Sequence, residues 1–599
     1  MKKFIVFCLV IILSLSVVCP VSIAQEETKY SGTVYYVDAT NGNNTNDGLS
    51  PQTPFKTFMT IHGNKLLPGD AVLFKRGETF TVSGININAS GTEEDPITFS
   101  CYGDENDPLP LIIGRNSGSM KGVVFINSQS YVHIDSLHIK SLYTGSNSVG
   151  GVRIESANGG TVYGNKISNC VIDGENGDWA SQNGRTFTGI SVNAKDYWGF
   201  FDGVTIENNE IYNCKNLGIS VNGCHGGCDK NGNVSSKSGK NIVIRNNFLY
   251  NIGKDGILVN NCNSPLIEYN TCGKSHSYAK TSWHVAMWPF SCYNALFQYN
   301  ESYDTQTTYD GQGFDSDYLS YNSTFQYNYS HNNVGGFILI CTEPKADWLS
   351  DPTAYNVGTV VRYNISQNDY YRIFTLVHHI TDTKIYNNTI YADKNVQHIF
   401  FVSAHRDASL NPINTLIYNN IFYTNNGNFQ WLKSTGTEFK NNIIYGANAS
   451  KYPKNDIDET TDDNIVSSGN IFADPMLVRA GFAEYGLESC YVYKLKEGSP
   501  ALNAGLIIDD ESNKLDFFGN EVSQSEKPHI GAYNGEPIKL ENGDVNYDGE
   551  VSISDALWLI KYFVKEYDES KIDTNYSDMN KDGLIDAKDI LMLRQKLAN

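Results

Sequence analysis

The sequence predicts an all-β right-handed parallel β-helix, a long solenoid, followed by a small all-α module at the C-terminal end. Three patterns predict this. An apolar residue followed three positions later by Asn, often as Tyr-Asn or Asn-Asn, recurs ten times, with the Asn at 165, 209, 247, 270, 300, 328, 364, 388, 420 and 442. A second phrase, Gly-Ile-Ser-Val-Asn and its relatives, begins at Gly189, Gly218, Gly256, Gly313 and Gly336. Two acidic, Gly-containing loops then open at Asp544 and Asp578, 34 residues apart.

The Asn phrase fixes the fold class. Its intervals run from 22 to 44 residues, a basic turn with variable insertions, which is the mark of a solenoid. Parallel strands need crossover connections, and a turn of 22 residues has no room for helices. Three short strands per turn, each pairing with its counterpart one coil on, satisfy both limits. Buried Asn side chains then donate and accept between coils as a ladder, so these asparagines are expected to be structural. In the second phrase a period of two turns Ile190, Ile219, Ile257, Phe314 and Phe337 inward. Asp315 and Asp317 then share the outer face.

The rest of the chain attaches to this stack. Lys2 and Lys3, the apolar run from Phe4 to Val18 and Ser22-Ile23-Ala24 read as a secretory signal peptide covering 1–24. The β-helix domain is assigned to 25–535, with opening and capping turns at 31–115 and closing coils at 446–535. A linker at 536–541 leads to the helical module at 542–599. The net charge of −21 argues against a nucleic-acid partner, and after the signal no segment is apolar enough to span a membrane. Cys224 and Cys228 form a lone pair. Buried thiols or one loop disulfide fit it better than zinc.

The C-terminal loops carry the sharpest motif. Asp544, Asn546, Asp548, Glu550, Ser552 and Asp555 occupy positions one, three, five, seven, nine and twelve of an EF-hand-type loop, with Glu550 offering its backbone carbonyl and Gly549 at position six. Asp578, Asn580, Asp582, Leu584, Asp586 and Asp589 repeat the set. The spacing predicts two Ca2+ ions. One helix follows each loop, at Ala556–Val564 and Ile590–Leu597, and none precedes it. Asp at position twelve and the missing first helix resemble type I dockerins. That resemblance implies docking onto a cohesin domain of a scaffoldin, hence a cellulosome. Ile553-Ser554 and Ala587-Lys588 depart from the common Ser-Thr pair at positions ten and eleven, which puts the matching cohesin in doubt.

Chemistry is expected where the coils enlarge, between 271 and 380. Glycoside hydrolysis needs two carboxyl groups, and Asp315, Asp317 and Glu343 are the catalytic candidates. Trp283, His284, Trp288, Asp310, Gln312, Asp347, Trp348 and Arg372 are the substrate-binding candidates, with the tryptophans as sugar-stacking walls. The stretch from Gly311 to Cys341 and the first and last phrases of the stack resemble secreted β-helix carbohydrate enzymes with a pectate-lyase-like solenoid. Glycoside hydrolase family 141 is the family they resemble most. It implies xylanase or fucosidase activity on plant cell-wall polysaccharide, and it supports Asp315 and Asp317. Two alternatives stand beside it. A polysaccharide lyase would use Arg372 or Lys345 as base, with Asp310, Asp315 and Asp317 holding calcium. A β-helix that only binds glycans would need no acid pair.

Overall fold

The computed structural model describes residues 29–598, except 62–64, 116–119, 143–148, 158–159, 175–186, 196–198, 225–237, 279–281, 344–354, 394–395, 404–409, 432–433, 456–464, 511, 513 and 565–572. The signal segment, Cys228, Lys345, Asp347 and Trp348 therefore lie outside the described residues.

Among the described residues three parallel sheets of 15, 12 and 13 strands run the length of the stack. Each coil contributes one short strand to each sheet. Coil building starts well before the Asn phrase: Val34–Val37 pairs with Ala71–Lys75, which pairs with Ile97–Tyr102. The segment at 31–115 thus builds the first coils of the solenoid. A 3-10 turn lies at Phe58–Thr60, between the first two strands.

The Asn ladder runs from Asn209 to Asn470, through Asn247, Asn270, Asn300, Asn328, Asn364, Asn388, Asn420 and Asn442. Each Nδ2 donates to the next Oδ1 at 2.9–3.1 Å. Asn165 is not on it. The register sets Asn165 opposite Val204 and places Cys170 immediately before the Val171–Glu210 pair, so Cys170 occupies the ladder position. Asn165 instead accepts from Val132 N at 2.9 Å. The residue before each ladder Asn is left-handed, at φ 55° for Tyr269, 54° for Tyr299 and 57° for Tyr327. A non-Gly residue there costs about 1–3 kcal/mol. Stacking offsets it: the Tyr269 and Tyr299 rings lie 4.9 Å apart and nearly parallel, and Tyr299 and Tyr327 stack at 4.9 Å with a 29° tilt. Asn300→Ala leaves the Asn270 N–H without its acceptor. We expect it to lower the unfolding free energy by about 3 kcal/mol, read from denaturant unfolding. An unchanged midpoint would contradict the ladder's structural role.

Residues 472–535 are not further coils. Among the described residues they contain no named strand, only the 3-10 segment Leu487–Tyr493. They form a strap that runs back over the tyrosine edge, packing Leu477, Val492, Tyr493, Phe517 and Ile530 against Tyr327, Tyr329, Tyr363, Tyr386 and Ile421. Ala483 exchanges two hydrogen bonds with the Gln367 amide at 2.9 and 3.0 Å. Buried Arg362 bonds Gln326 Oε1, Tyr386 OH, Asp510 Oδ2 and Ser512 O, joining solenoid to strap.

The helical module packs Val545, Ala556, Leu559, Met579 and Leu593. Its long helices, Ile553–Phe563 and Ala587–Ala598, start three residues earlier than the apolar pattern indicated. In the first, Ser552 and Asp555 form a capping box that draws the first turn back into the loop. A short helix, Thr574–Ser577, precedes the second loop, contrary to expectation; Asp573 caps it.

Candidate active site

The enlarged coils bring one carboxylate-rich patch together on the outer face of the 12-stranded sheet. The strand Gln312–Ser316 lies between Met287–Phe290 and Gly336–Cys341. Phe314 and Ser316 point inward and are fully buried. The partner strand is shifted by one residue from the alignment of the Gly phrases: Ile338, not Phe337, pairs with Phe314. Leu339 therefore stands opposite Asp315, and Cys341 comes beside Asp317. Phe337 falls where the earlier coils have Gly313, and it too is buried.

The acids lie in apolar surroundings. Val285, Leu339 and Cys341, with Trp288, Tyr318 and Val377, form an apolar cluster on this outer face. One ligand atom each of Asp315, Asp317 and Cys341 lie within 4.8 Å of one another. The Cys341 thiol donates to Asp317 Oδ1 at 3.1 Å and stands 3.8 Å from Asp315 Oδ1. Burial and then the neighbouring Asp317 and Asp310 charges push Asp315 well above the carboxylate range. Burial pushes Asp317 up to about 7, against hydrogen bonds from Cys341 and the Tyr318 N–H. Asp310 is pushed up to about 6, again by burial, with Arg372 and His284 pulling the other way. Asp315 is only 2% exposed, whereas Asp310 and Asp317 are half-buried and reach solvent.

Asp310 is presented by a turn. It is left-handed at φ 55°, followed by Gly311 at φ 74°, where any Cβ would stand 2.1 Å from Thr307 O. The Gly311 N–H donates to His284 O at 2.9 Å, which places Asp310 beside His284. His284 in turn is held by Asp255, a residue the sequence reading missed. Buried Asp255 takes His284 Nδ1 at 2.9 Å, Trp288 Nε1 at 3.1 Å and Val285 N at 2.9 Å. It sits just before the Gly256 phrase, where the other coils carry Thr188 and Leu217; that exchange of neutral for acidic was the legible signal. The Trp283 ring is 67% exposed and meets Tyr309 edge-on at 5.4 Å, forming an aromatic wall next to Asp310.

The remaining candidates divide. Arg372 stands between the Tyr371 and Phe401 rings, 4.8 and 5.2 Å from their centroids, with Asp310 within its field. Glu343 is engaged with His378, 3.0 Å away. Gln312 is fully buried and does not face solvent. Gly336 has no side chain to block it, so Gln312 lies over that residue and donates to Thr375 Oγ1 at 3.1 Å.

In the helical module the donor set suits a hard cation. Asp544 Oδ1 is buried with no hydrogen-bond partner. Burial and the Asp555 and Asp548 charges push the Asp544 carboxyl up to about 7. A divalent ion would supply the missing counter-charge, and oxygen donors at these spacings fit calcium. Asp555 and Asp589 each accept three backbone N–H groups across their loops, holding both in the same shape.

Comparisons with known proteins agree with this architecture. Residues 542–598 match the family model described as "Dockerin type I domain", and residues 188–346 match "Right handed beta helix region". Lacto-N-biosidase of Bifidobacterium longum subsp. longum is 26% identical over 623 residues, covering 87% of this chain. The chain spans only 37% of that relative's length. The native crystal structure of GH136 lacto-N-biosidase from Eubacterium ramulus is 24% identical, with a TM-score of 0.50, over 61% of this chain and 64% of that one. That likeness bears on the fold. Pectate lyase Pel9A is more distant, at 14% identity and a TM-score of 0.38, over 84% of this chain and 96% of that one. The relatives that carry a sequence similarity are lacto-N-biosidases, so the resemblance to family 141 xylanases finds no support in them. The chain is a right-handed parallel β-helix with a C-terminal type I dockerin domain.

Proposed function

We propose that this chain is a secreted glycoside hydrolase displayed through its dockerin on a cohesin-bearing scaffold. The observation that carries the hydrolase reading is a geometric one: Asp310 and Asp317 lie at solvent on one outer face, beside the Trp283–Tyr309 aromatic wall, and burial raises both of their proton affinities. Two carboxyls whose surroundings hold one protonated and leave the other ionised near neutrality are what acid–base cleavage of a glycosidic bond requires. Asp317 is the proton donor and Asp310 the base or nucleophile. Asp315, buried beside them, is pushed toward its neutral form and shapes the pair. Trp283, Tyr309 and Trp288 wall the sugar, His284 and Arg372 border Asp310, and Asp255 orients His284. This assignment moves the acid pair from Asp315 and Asp317 to Asp310 and Asp317 and leaves Glu343 outside it.

A neutral glycan suits this patch. A uronate-cleaving lyase would place calcium among these acids, whereas the outer face around them is apolar, formed by Val285, Leu339, Trp288 and Val377. Xylan or a related hemicellulose remains one candidate substrate. The similarity to lacto-N-biosidase adds a second, an oligosaccharide ending in lacto-N-biose. The dockerin is assigned two calcium ions, held by Asp544, Asn546, Asp548, the Glu550 carbonyl, Ser552 and Asp555, and by Asp578, Asn580, Asp582, the Leu584 carbonyl, Asp586 and Asp589. Its partner is a cohesin, for which Ile553, Leu557 and Ile560, 75, 54 and 44% exposed, offer an apolar helix face.

The test is a product screen on xylan, arabinoxylan, polygalacturonate and a lacto-N-biose-terminated oligosaccharide, with and without chelator. New reducing ends from a neutral glycan, without the ultraviolet absorbance of an unsaturated uronate, are the expected result. Chelator-sensitive growth of that absorbance would overturn the hydrolase reading, as would binding to these glycans with no product from any of them.

A further inference from the structure

The two calcium loops share one sequence pattern but not one environment. Both loops bury their first and last carboxylates, but Tyr547 of the first is buried whereas its counterpart Lys581 is exposed. Tyr547 falls between two assigned ligands, Asn546 and Asp548, with a left-handed backbone at φ 66°. Only 3% of it is exposed. Its ring lies 4.7 Å from the guanidinium carbon of Arg479, a strap residue whose other face covers Phe482 at 3.8 Å. Arg479 is itself fixed by its N–H donating to Val492 O at 2.8 Å. Gly549, the sixth loop position, packs on Ile538: a Cβ there would stand 3.2 Å from Ile538 Cγ2, whereas its counterpart Gly583 has nothing within 4 Å.

The assigned linker is not free either. The Ile538 N–H donates to Leu495 O at 2.8 Å and the Glu497 N–H to Ile538 O at 3.1 Å, which adds residue 538 to the strap as a short parallel bridge. On the far side Lys596 Nζ bonds Glu541 Oε2 at 3.2 Å and Asn542 O at 2.9 Å. The junction is therefore tied at both ends.

We propose that the first calcium loop, residues 544–555, is the joint that locks the dockerin onto the strap of the β-helix, and that calcium in this loop keeps the joint closed. This rests on the reading that the loops bind calcium. The physical link is short. The cation fixes the backbone from Asn546 to Gly549 through the side chains on either side of Tyr547. Without it Asp544, Asp548 and Asp555 repel one another, and the loop that carries Tyr547 and Gly549 has no reason to keep the shape that fits Arg479 and Ile538. The coupling is reciprocal: a strap that holds the loop in its binding shape raises its calcium affinity by the same factor. At the second loop Lys581 is exposed and a Cβ on Gly583 would meet nothing within 4 Å, so this loop is expected to gain nothing. The open face of the first long helix, and Leu584 and Leu591 at 65 and 57% exposure, remain free for a partner. The dockerin then projects from the β-helix in one orientation instead of swinging on a tether.

The test uses the full chain. Trypsin cleavage after Lys539, an exposed residue inside the joint, is followed with calcium and with EGTA, and calcium binding is titrated calorimetrically in parallel. In the parent chain EGTA is expected to speed this cleavage by about tenfold or more, within the usual range of coupling between two sites. In Arg479→Ala the bond is cut rapidly even with calcium, and one calcium site weakens by about tenfold while the other is unchanged. Equal cleavage rates with and without calcium in a parent chain that binds calcium would overturn the joint and leave the calcium assignment standing. No calcium uptake would overturn both. Should Arg479→Ala fold poorly, the parent comparison decides alone, because it needs no substitution.

Discussion

Asp317→Asn is expected to lower kcat by about 10²–10⁴-fold, the usual worth of a positioned acid or base, with the β-helix intact. The expectation follows from where the side chain sits. Asp317 follows the Gln312–Ser316 strand, half-buried, with the Cys341 thiol 3.1 Å away. Burial lifts it to about 7, so it still carries a proton near neutrality. Asp310, lifted to about 6, is largely ionised there, and Asp310→Asn is expected to be as damaging. The parent kcat/KM should therefore follow a bell. It falls below about pH 6 as Asp310 takes up its proton, and above about pH 7 as Asp317 loses its own. Asp315 is covered from solvent, at 2% exposure, so Asp315→Asn is expected to leave both limbs in place. Stability moves with the same groups. A carboxyl whose folded pKa is raised holds its proton in the native state after the unfolded chain has lost it, so its native form is disfavoured progressively as pH rises from about 4 to about 7. Asp317→Asn should thus unfold at a higher temperature than the parent at pH 8, with the gap closing toward pH 4. An unshifted pH profile in Asp310→Asn and Asp317→Asn would remove both from the chemistry.

The largest expected loss of stability comes from Arg362→Ala, at about 3–5 kcal/mol, the usual cost of removing one partner from a buried charged network. Arg362 is 3% exposed. Its guanidinium serves Gln326 and Tyr386 on the solenoid and Asp510 and Ser512 on the strap. Without it the Gln326 carbonyl loses both of its donors, and Asp510 loses its cationic partner while keeping the Tyr386 hydroxyl and Ser512. Because the strap covers Tyr327, Tyr363 and Tyr386, its loosening would also expose the tyrosine edge. Hydrogen exchange should therefore rise across 472–535 while the coils around Ile190 and Ile219 stay protected. Uniform loosening of the solenoid, or no change at the strap, would contradict this role.

Much of the fold was legible because a solenoid repeats its physics. The same Asn-to-Asn bond and the same inward Ile recur coil after coil, so ten instances correct one another. Asn165 shows the limit: the words around it fit the phrase, yet the register gives its place to Cys170. Phe337 shows it again, since a one-residue shift changes which side chains face outward and brings Cys341, not a polar residue, to Asp317. The strap was illegible for another reason. It has no period, and what it covers, a column of tyrosines beside ladder asparagines, reads equally well as exposed sugar-stacking rings. At the site, the sequence marked the acidic strand where Gly-Ile-Ser-Val-Asn becomes Gly-Phe-Asp-Ser-Asp. It did not show that Asp315 is covered by Leu339 and Cys341 from the next coil, or that Asp255 reaches His284 and Trp288 across 29 and 33 residues. Those contacts depend on which coil stacks on which.

The account turns on whether the outer face between Asp310 and Asp317 breaks glycosidic bonds. The direct measurement is product formation from the best neutral glycan by the parent, Asp310→Asn and Asp317→Asn, assayed together in chelator. The account predicts new reducing ends from the parent and almost none from either variant, with all three proteins showing the same far-ultraviolet dichroism. Parent-like turnover in both variants would contradict it.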